Sequence, residues 1–84
     1  MRVCAVTFVS VHDVLKAEKR LQAAGWRIRL IPVPKQINPD CGLALQISCE
    51  RLDEVKGQLH DMAHRFKGVY QIDGTAFTPL EDEA

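Results

Sequence analysis

The sequence has no surplus charge of either sign, no closely spaced cysteine pair and no long apolar run. Lysine and arginine together number 11, as do aspartate and glutamate. A nucleic-acid or anionic-membrane binder carries a basic excess, so those two partner classes are excluded. No stretch approaches the ~20 apolar residues of a membrane span. The opening "MRVCAVTFVSVHD" breaks its apolar run too early for a secretion signal and offers no small-residue cleavage site, which points to the cytoplasm. The 3 cysteines, at positions 4, 41 and 49, include no Cys-x-x-Cys pair. That pattern speaks against a zinc ribbon or a disulfide framework and fits reduced thiols.

What is present is a chain of 84 residues. A chain this short buries only roughly 60% of its unfolded surface, so it forms one domain with a thin core. Residues 1–73 carry the patterned segments. Residues 74–84 form a C-terminal extension whose acidic end, "EDEA", is expected to stay solvated.

"VCAVTFV", residues 3–9, is β-branched and aromatic, too short for a buried helix, and reads as a central strand. Ser10 and Asp13 then have capping-box spacing and predict a helix start. Val11, Val14, Ala17, Leu21 and Ala24 recur at helical spacing, and Gly25 is a natural stop. "WRIRLIPV" and "GLALQIS" alternate as two more strands. Leu52, Val55, Leu59, Met62 and Phe66 form the stripe of a second helix, with Gly57 opposite. "KGVYQID" is a last strand, and "TAFTPL" either packs along an edge or hangs loose.

The order strand, helix, strand, strand, helix, strand is the α+β arrangement called ferredoxin-like, βαββαβ. Right-handed crossovers give a four-stranded antiparallel sheet of order 4-1-3-2 with both helices on one face. In that topology the end of strand one, the start of helix one and the strand two to three loop meet at one end of the sheet.

Cys41 begins strand three and therefore belongs beside Ser10, His12 and Asp13. The partial positive charge of a helix N-terminus favours a thiolate, and the adjacent Asp40 opposes one. His12 is placed to support the thiolate or shuttle a proton. Lys35 and Gly42 belong to the same loop, which is longer than a hairpin needs and is stiffened by Pro39. The competing reading makes Cys41 a small hydrophobe covered by a turn. Cys4 and Cys49 belong at the far end, roughly 20 Å of strand away, too far to pair with Cys41. The topology lets them approach each other, although a bond between them is not expected.

His60 and His64, with Asp53 on the same flank, have a metal-ligand spacing but lack a fourth ligand, so they read as a solvated helix flank. No metal or cofactor is expected. Strand three has no aromatic on which a base could stack. The first loop, "SVHDV", has neither the paired cysteines of a metal chaperone nor the arginine of an acylphosphatase.

Two function classes remain. In the first, Cys41 carries sulfur or selenium as a persulfide or selenosulfide to a partner enzyme, acting as a relay more than a turnover catalyst. In the second, the chain is a ligand-binding or regulatory module that forms a homodimer through the open sheet face, where Ala44, Gln46, Arg27 and Arg29 lie.

"TFVSVHDVLKAEKRL", "IRLIPVPKQI" and "CGLAL" together resemble the Se/S carrier-like family of small bacterial proteins, over about residues 5–72. The ordered combination of Ser-x-His-Asp, Pro-x-Pro and Cys-Gly carries the resemblance. It implies that Cys41 is the chalcogen-bearing cysteine, that His12 is the histidine of the first-helix motif, and that the partners are sulfur or selenium donor and acceptor proteins. The chain lacks the Cys-Pro-x-Pro motif of better-known sulfur carriers.

Overall fold

The Ser10–Asp13 box starts helix α1, Val11–Ala23, as its spacing requires. The Ser10 hydroxyl accepts from the Asp13 backbone N–H, and the Asp13 carboxylate accepts from the Ser10 N–H at 3.2 Å. Two otherwise orphaned N–H groups are satisfied locally, so the helix can begin without help from the rest of the chain. At its other end, the N–H of Gly25 reaches Gln22 O and that of Trp26 reaches Leu21 O, both at 3.0 Å. This paired closure needs a left-handed residue, which Gly25 supplies with φ +89°. Val14, Ala17 and Leu21 form the fully buried stripe. The expected outer members do not join it, since Val11 is 40% exposed and Ala24 lies on the surface.

The computed structural model describes residues 2–80. Strands β1 (Val3–Phe8), β2 (Arg29–Pro32), β3 (Leu43–Ser48), β4 (Phe66–Asp73) and β5 (Ala76–Pro79) form one antiparallel sheet of order β2-β3-β1-β4-β5. The α+β class therefore holds, while the expected four-stranded sheet is corrected to a five-stranded one. The added strand arises where Asp73 pairs with Ala76 across Gly74-Thr75, and Gly74 takes the positive φ of +63° that a two-residue hairpin loop favours. The acidic end, residues 81–84, lies outside the described residues.

Alternation sorts the strands into two faces. Cys4, Val6, Phe8, Leu45 and Ile47 face the helices and pack with Val14, Leu21, Val55, Leu59 and Met62 in the main core. Each fully buried aliphatic or aromatic side chain there contributes about 1.5–3 kcal/mol. The second helix is shorter than its stripe implies. Helix α2 spans only Leu52–Gln58; 3-10 turns precede it at Cys49–Arg51 and follow it at His60–Arg65. Leu59 (φ −113°) and Met62 (φ −121°) leave helical geometry, yet both remain buried. Burial of the apolar positions has overridden the regular 3.6-residue period.

On the opposite face, Ala5, Ala44 and Val33 form a smaller buried cluster against Ile31, Ile37, Ile72 and Phe77. This face is more apolar than the alanine, glutamine and arginine surface expected.

Candidate functional site

Strand β1 pairs with β3 as far as Thr7↔Ala44. Beyond that pair, the Phe8 carbonyl has no strand partner on the β3 side, and the loop between β2 and β3 provides one. Asn38 Nδ2 donates to Phe8 O at 2.9 Å, while Asn38 Oδ1 accepts from the Asp40 N–H at 3.2 Å. Asn38 is 1% exposed, so the side chain acts as an internal clamp between the loop and the central strand. The base of the loop closes through Val33 N–H to Gly42 O at 2.9 Å, and its tip turns through Ile37 and Asn38 N–H to Pro34 O.

Cys41 ends this loop and belongs to the main core cluster that includes Phe8, Val14 and Leu45. It is the free cysteine among the described residues, 1% exposed, and its thiol donates to Leu43 O at 3.3 Å. The loop thus meets the end of β1, and the thiol at its end is buried in the core rather than presented to solvent. His12 and Lys35 are exposed. Gly42 is exposed too, a Cβ there would meet nothing within 4 Å, and its carbonyl accepts from the Val33 N–H.

Two cations were not singled out by the sequence reading. Arg65 donates through Nε to Asp13 Oδ2 at 3.0 Å, and its carbonyl accepts from the Val9 N–H at 3.0 Å. Lys67 pairs with Asp40 at 3.7 Å. Arg65 ends the 3-10 turn and Lys67 is the second residue of β4, so Asp13 and Asp40 are each offset by a cation from the same short segment. A basic residue in a "HRFKG" run carries no sign of its partner, and only the β1–β4 register makes these pairs readable.

The Arg65 hydrogen bond, opposed by partial burial and aided by Ser10, holds the Asp13 carboxyl below its usual range. A depressed folded-state pKa contributes stability that is present above the unfolded value of about 3.9. That contribution is lost as pH falls through the lower folded-state value. Asp13→Asn keeps an amide oxygen able to accept from the Ser10 N–H but removes the carboxylate charge and its ion pair with Arg65, and should cost about 1 kcal/mol at neutral pH. In urea unfolding the gap to wild type should shrink steadily below about pH 4. A gap independent of pH would show that the carboxylate charge contributes nothing.

Among the described residues no group of three or more potential metal ligands converges, and His60 and His64 are separated from a regular helix by the turn at Leu59. No helix of the described residues is long and apolar enough to cross a membrane.

Cys4 and Cys49 correct the reading of three reduced thiols: they are joined as a disulfide, with Cα atoms 5.0 Å apart. Each lies beside the Val3↔Ser48 pair of β1 and β3, a neighbourhood that sequence spacing alone could not fix.

The fold and loop define a small α+β protein with one enclosed free thiol where a clamped loop meets its central strand. Residues 3–71 match the profile of the family described as "Putative Se/S carrier protein-like", and the chain belongs to that family. It is similar to a protein of Aquifex aeolicus (strain VF5) named "Putative sulfur carrier protein", at 31% identity over 74 residues, 86% of this chain and 38% of that relative. It is also similar to "Uncharacterized protein YtiA" of Escherichia coli (strain K12), at 33% identity over 49 residues, 58% of each chain. The chain therefore spans less than two thirds of either relative. No solved structure matches it.

Proposed function

We propose that this protein carries sulfur, or selenium, on Cys41 between a donor and an acceptor protein in the cytoplasm. The observation that carries this reading is the placement of a buried free thiol at the end of a loop clamped by Asn38, inside the region that matches the family. In loading, the Cys41 thiolate attacks the terminal sulfur of a donor persulfide. The donor S–S bond breaks, the donor cysteine leaves as a thiolate, and Cys41 becomes the persulfide. In unloading, an acceptor thiolate takes the terminal sulfur and Cys41 leaves as thiolate. Both steps need the loop to open, because at 1% exposure Cys41 admits no second protein. Closure over the loaded sulfur then shields it from solvent oxidants.

In this scheme Ser10 and Asp13 fix the first turn of α1, which His12 shares, so that His12 can deliver or remove a proton once the loop opens. Lys35 meets the partner from the loop, and Gly42 hinges it.

The test is intact-mass measurement after incubation with a cysteine desulfurase and cysteine, or with a selenium donor. Wild type should gain a sulfur or selenium adduct localised to Cys41, and Cys41→Ser should gain none. Absence of an adduct on wild type, or an adduct unaffected by Cys41→Ser, would sink the carrier reading.

A separate observation favours a second reading, a binding or regulatory module. The open sheet face holds a trough of about 700 Å³ lined by Val3, Ile31, Val33, Gln46, Ile72 and Phe77, with Arg27 and Arg29 beside it. A dimer formed there would dissociate on Phe77→Asp, measured by sedimentation, and would be indifferent to Cys41→Ser.

A further inference from the structure

At the end of the sheet opposite Cys41, β1 enters and β3 leaves through the Val3↔Ser48 pair, and the Cys49 N–H donates to Arg2 O at 3.1 Å. The two cysteines that flank this crossing have Cα atoms 5.0 Å apart, inside the roughly 4.4–6.8 Å window for a disulfide, and lie 45 residues apart in sequence. Their surroundings differ. Cys4 is fully buried in the main core, while Cys49 is half-buried at the start of the 3-10 turn that leads into α2. Cys49 is therefore the member of the pair nearer to solvent.

We propose that Cys4 and Cys49 form a reversible dithiol–disulfide pair that staples the central strand to the start of α2 and that exchanges with external dithiols through Cys49. In reduction, a thiolate of an external dithiol attacks Cys49 Sγ. The Cys4–Cys49 bond breaks, and Cys4 leaves as a thiolate and takes up a proton. The second thiol of the reductant then displaces Cys49 from the mixed disulfide, so that the reductant ends as a disulfide and the protein has gained two electrons and two protons. Oxidation is the reverse, with an organic disulfide as the oxidant. The asymmetry of burial sets the order of events: the sulfur of the residue nearer to solvent is attacked and that of the fully buried one departs.

Opening the bond releases a constraint on a long loop of the unfolded chain and leaves the Cys49–Arg2 backbone bond and core packing to hold the crossing. Cys41 takes no part, because the ~20 Å length of β3 separates it from the pair. The proposal thus stands independently of Cys41 chemistry, and its test can be run on Cys41→Ser as well as on wild type.

The protein is equilibrated with mixtures of reduced and oxidised dithiothreitol, quenched in acid, alkylated under denaturing conditions and weighed. Cys41→Ser should pass from no alkylated cysteine to two in a single step, and wild type from one to three. Reduction should lower the thermal midpoint of both by at least ~10 °C. In Cys49→Ser the reductant should change neither the thiol count nor the midpoint. Because the titration of the unmutated pair needs no variant to fold, it is decisive alone. Two alkylatable thiols in Cys41→Ser at every mixture, or stepwise loss of one thiol at a time, would overturn the proposal.

Discussion

Asn38→Ala should raise the rate at which native Cys41 is alkylated by roughly 5- to 150-fold. The side chain makes two hydrogen bonds inside the protein, and its removal leaves Phe8 O without its loop partner and the Asp40 N–H unpaired. Losing the partner of a buried polar group costs about 1–3 kcal/mol, and each 1.4 kcal/mol is a factor of about ten in the population of the open loop. Because Cys41 is buried and forms the end of that loop, release of the loop is the local route that brings its thiol to solvent, and its reactivity should follow that opening. Asn38→Asp should act in the same direction, since it keeps the acceptor for Asp40 N–H but sets a carboxylate against the Phe8 carbonyl. Lys67→Ala is the control. It removes an exposed pair to Asp40 worth at most about 1 kcal/mol and should change the rate less than ~5-fold. The rates are read by mass spectrometry on folded protein at fixed pH. An Asn38→Ala protein that stays folded and reacts at the wild-type rate would show that the clamp does not govern access to Cys41.

The contrast between local and distant information explains which of these features the sequence reveals. The Ser10–Asp13 box and the Gly25 stop are legible because both partners of each bond lie within a few residues, and the sequence prints them side by side. The alternating strands are legible because each face must bury its apolar positions wherever the strand is placed. The Asn38 clamp reaches across 30 residues and the Arg65–Asp13 pair across 52, so neither has a local signature. The same limit hides the Cys4–Cys49 bond, which is set by the register of β1 on β3. Helix α2 fails in a different way. Its stripe is buried through Val55, Leu59 and Met62, but after Leu59 a 3-10 turn carries it, and Phe66, its expected last member, begins β4; periodicity alone does not distinguish these cases. The fifth strand is short and half-exposed, and only its hairpin loop with β4 marks it. Topology was enough to bring Cys41 to the end of β1, but whether its thiol faces solvent or the core depended on packing among residues far apart in sequence.

The carbonyl that Asn38 clamps belongs to Phe8, which gives the second large effect. Phe8 is 0% exposed and packs edge-to-face on Phe66, with ring centroids 5.1 Å apart. Truncation to alanine leaves a cavity that the sheet and α1 close only in part, and such changes cost about 3–5 kcal/mol. For a domain of this size that is at least ~12 °C in thermal midpoint and a large share of a total stability of about 5–15 kcal/mol. Val11→Ala should cost no more than about 0.5 kcal/mol, because Val11 is 40% exposed and falls outside the core stripe it seemed to extend. Equal losses at the two positions, measured by urea or thermal unfolding, would overturn this assignment of the core. Phe8→Ala also separates two routes to Cys41. Asn38→Ala opens the loop while the sheet stays intact, so reactivity should rise by more than the loss of global stability accounts for. Phe8→Ala weakens the whole domain, so Cys41 alkylation should follow global unfolding step for step. A Phe8→Ala protein whose Cys41 reactivity outruns its unfolding would mean that this ring, and not only the Asn38 amide, holds the loop down.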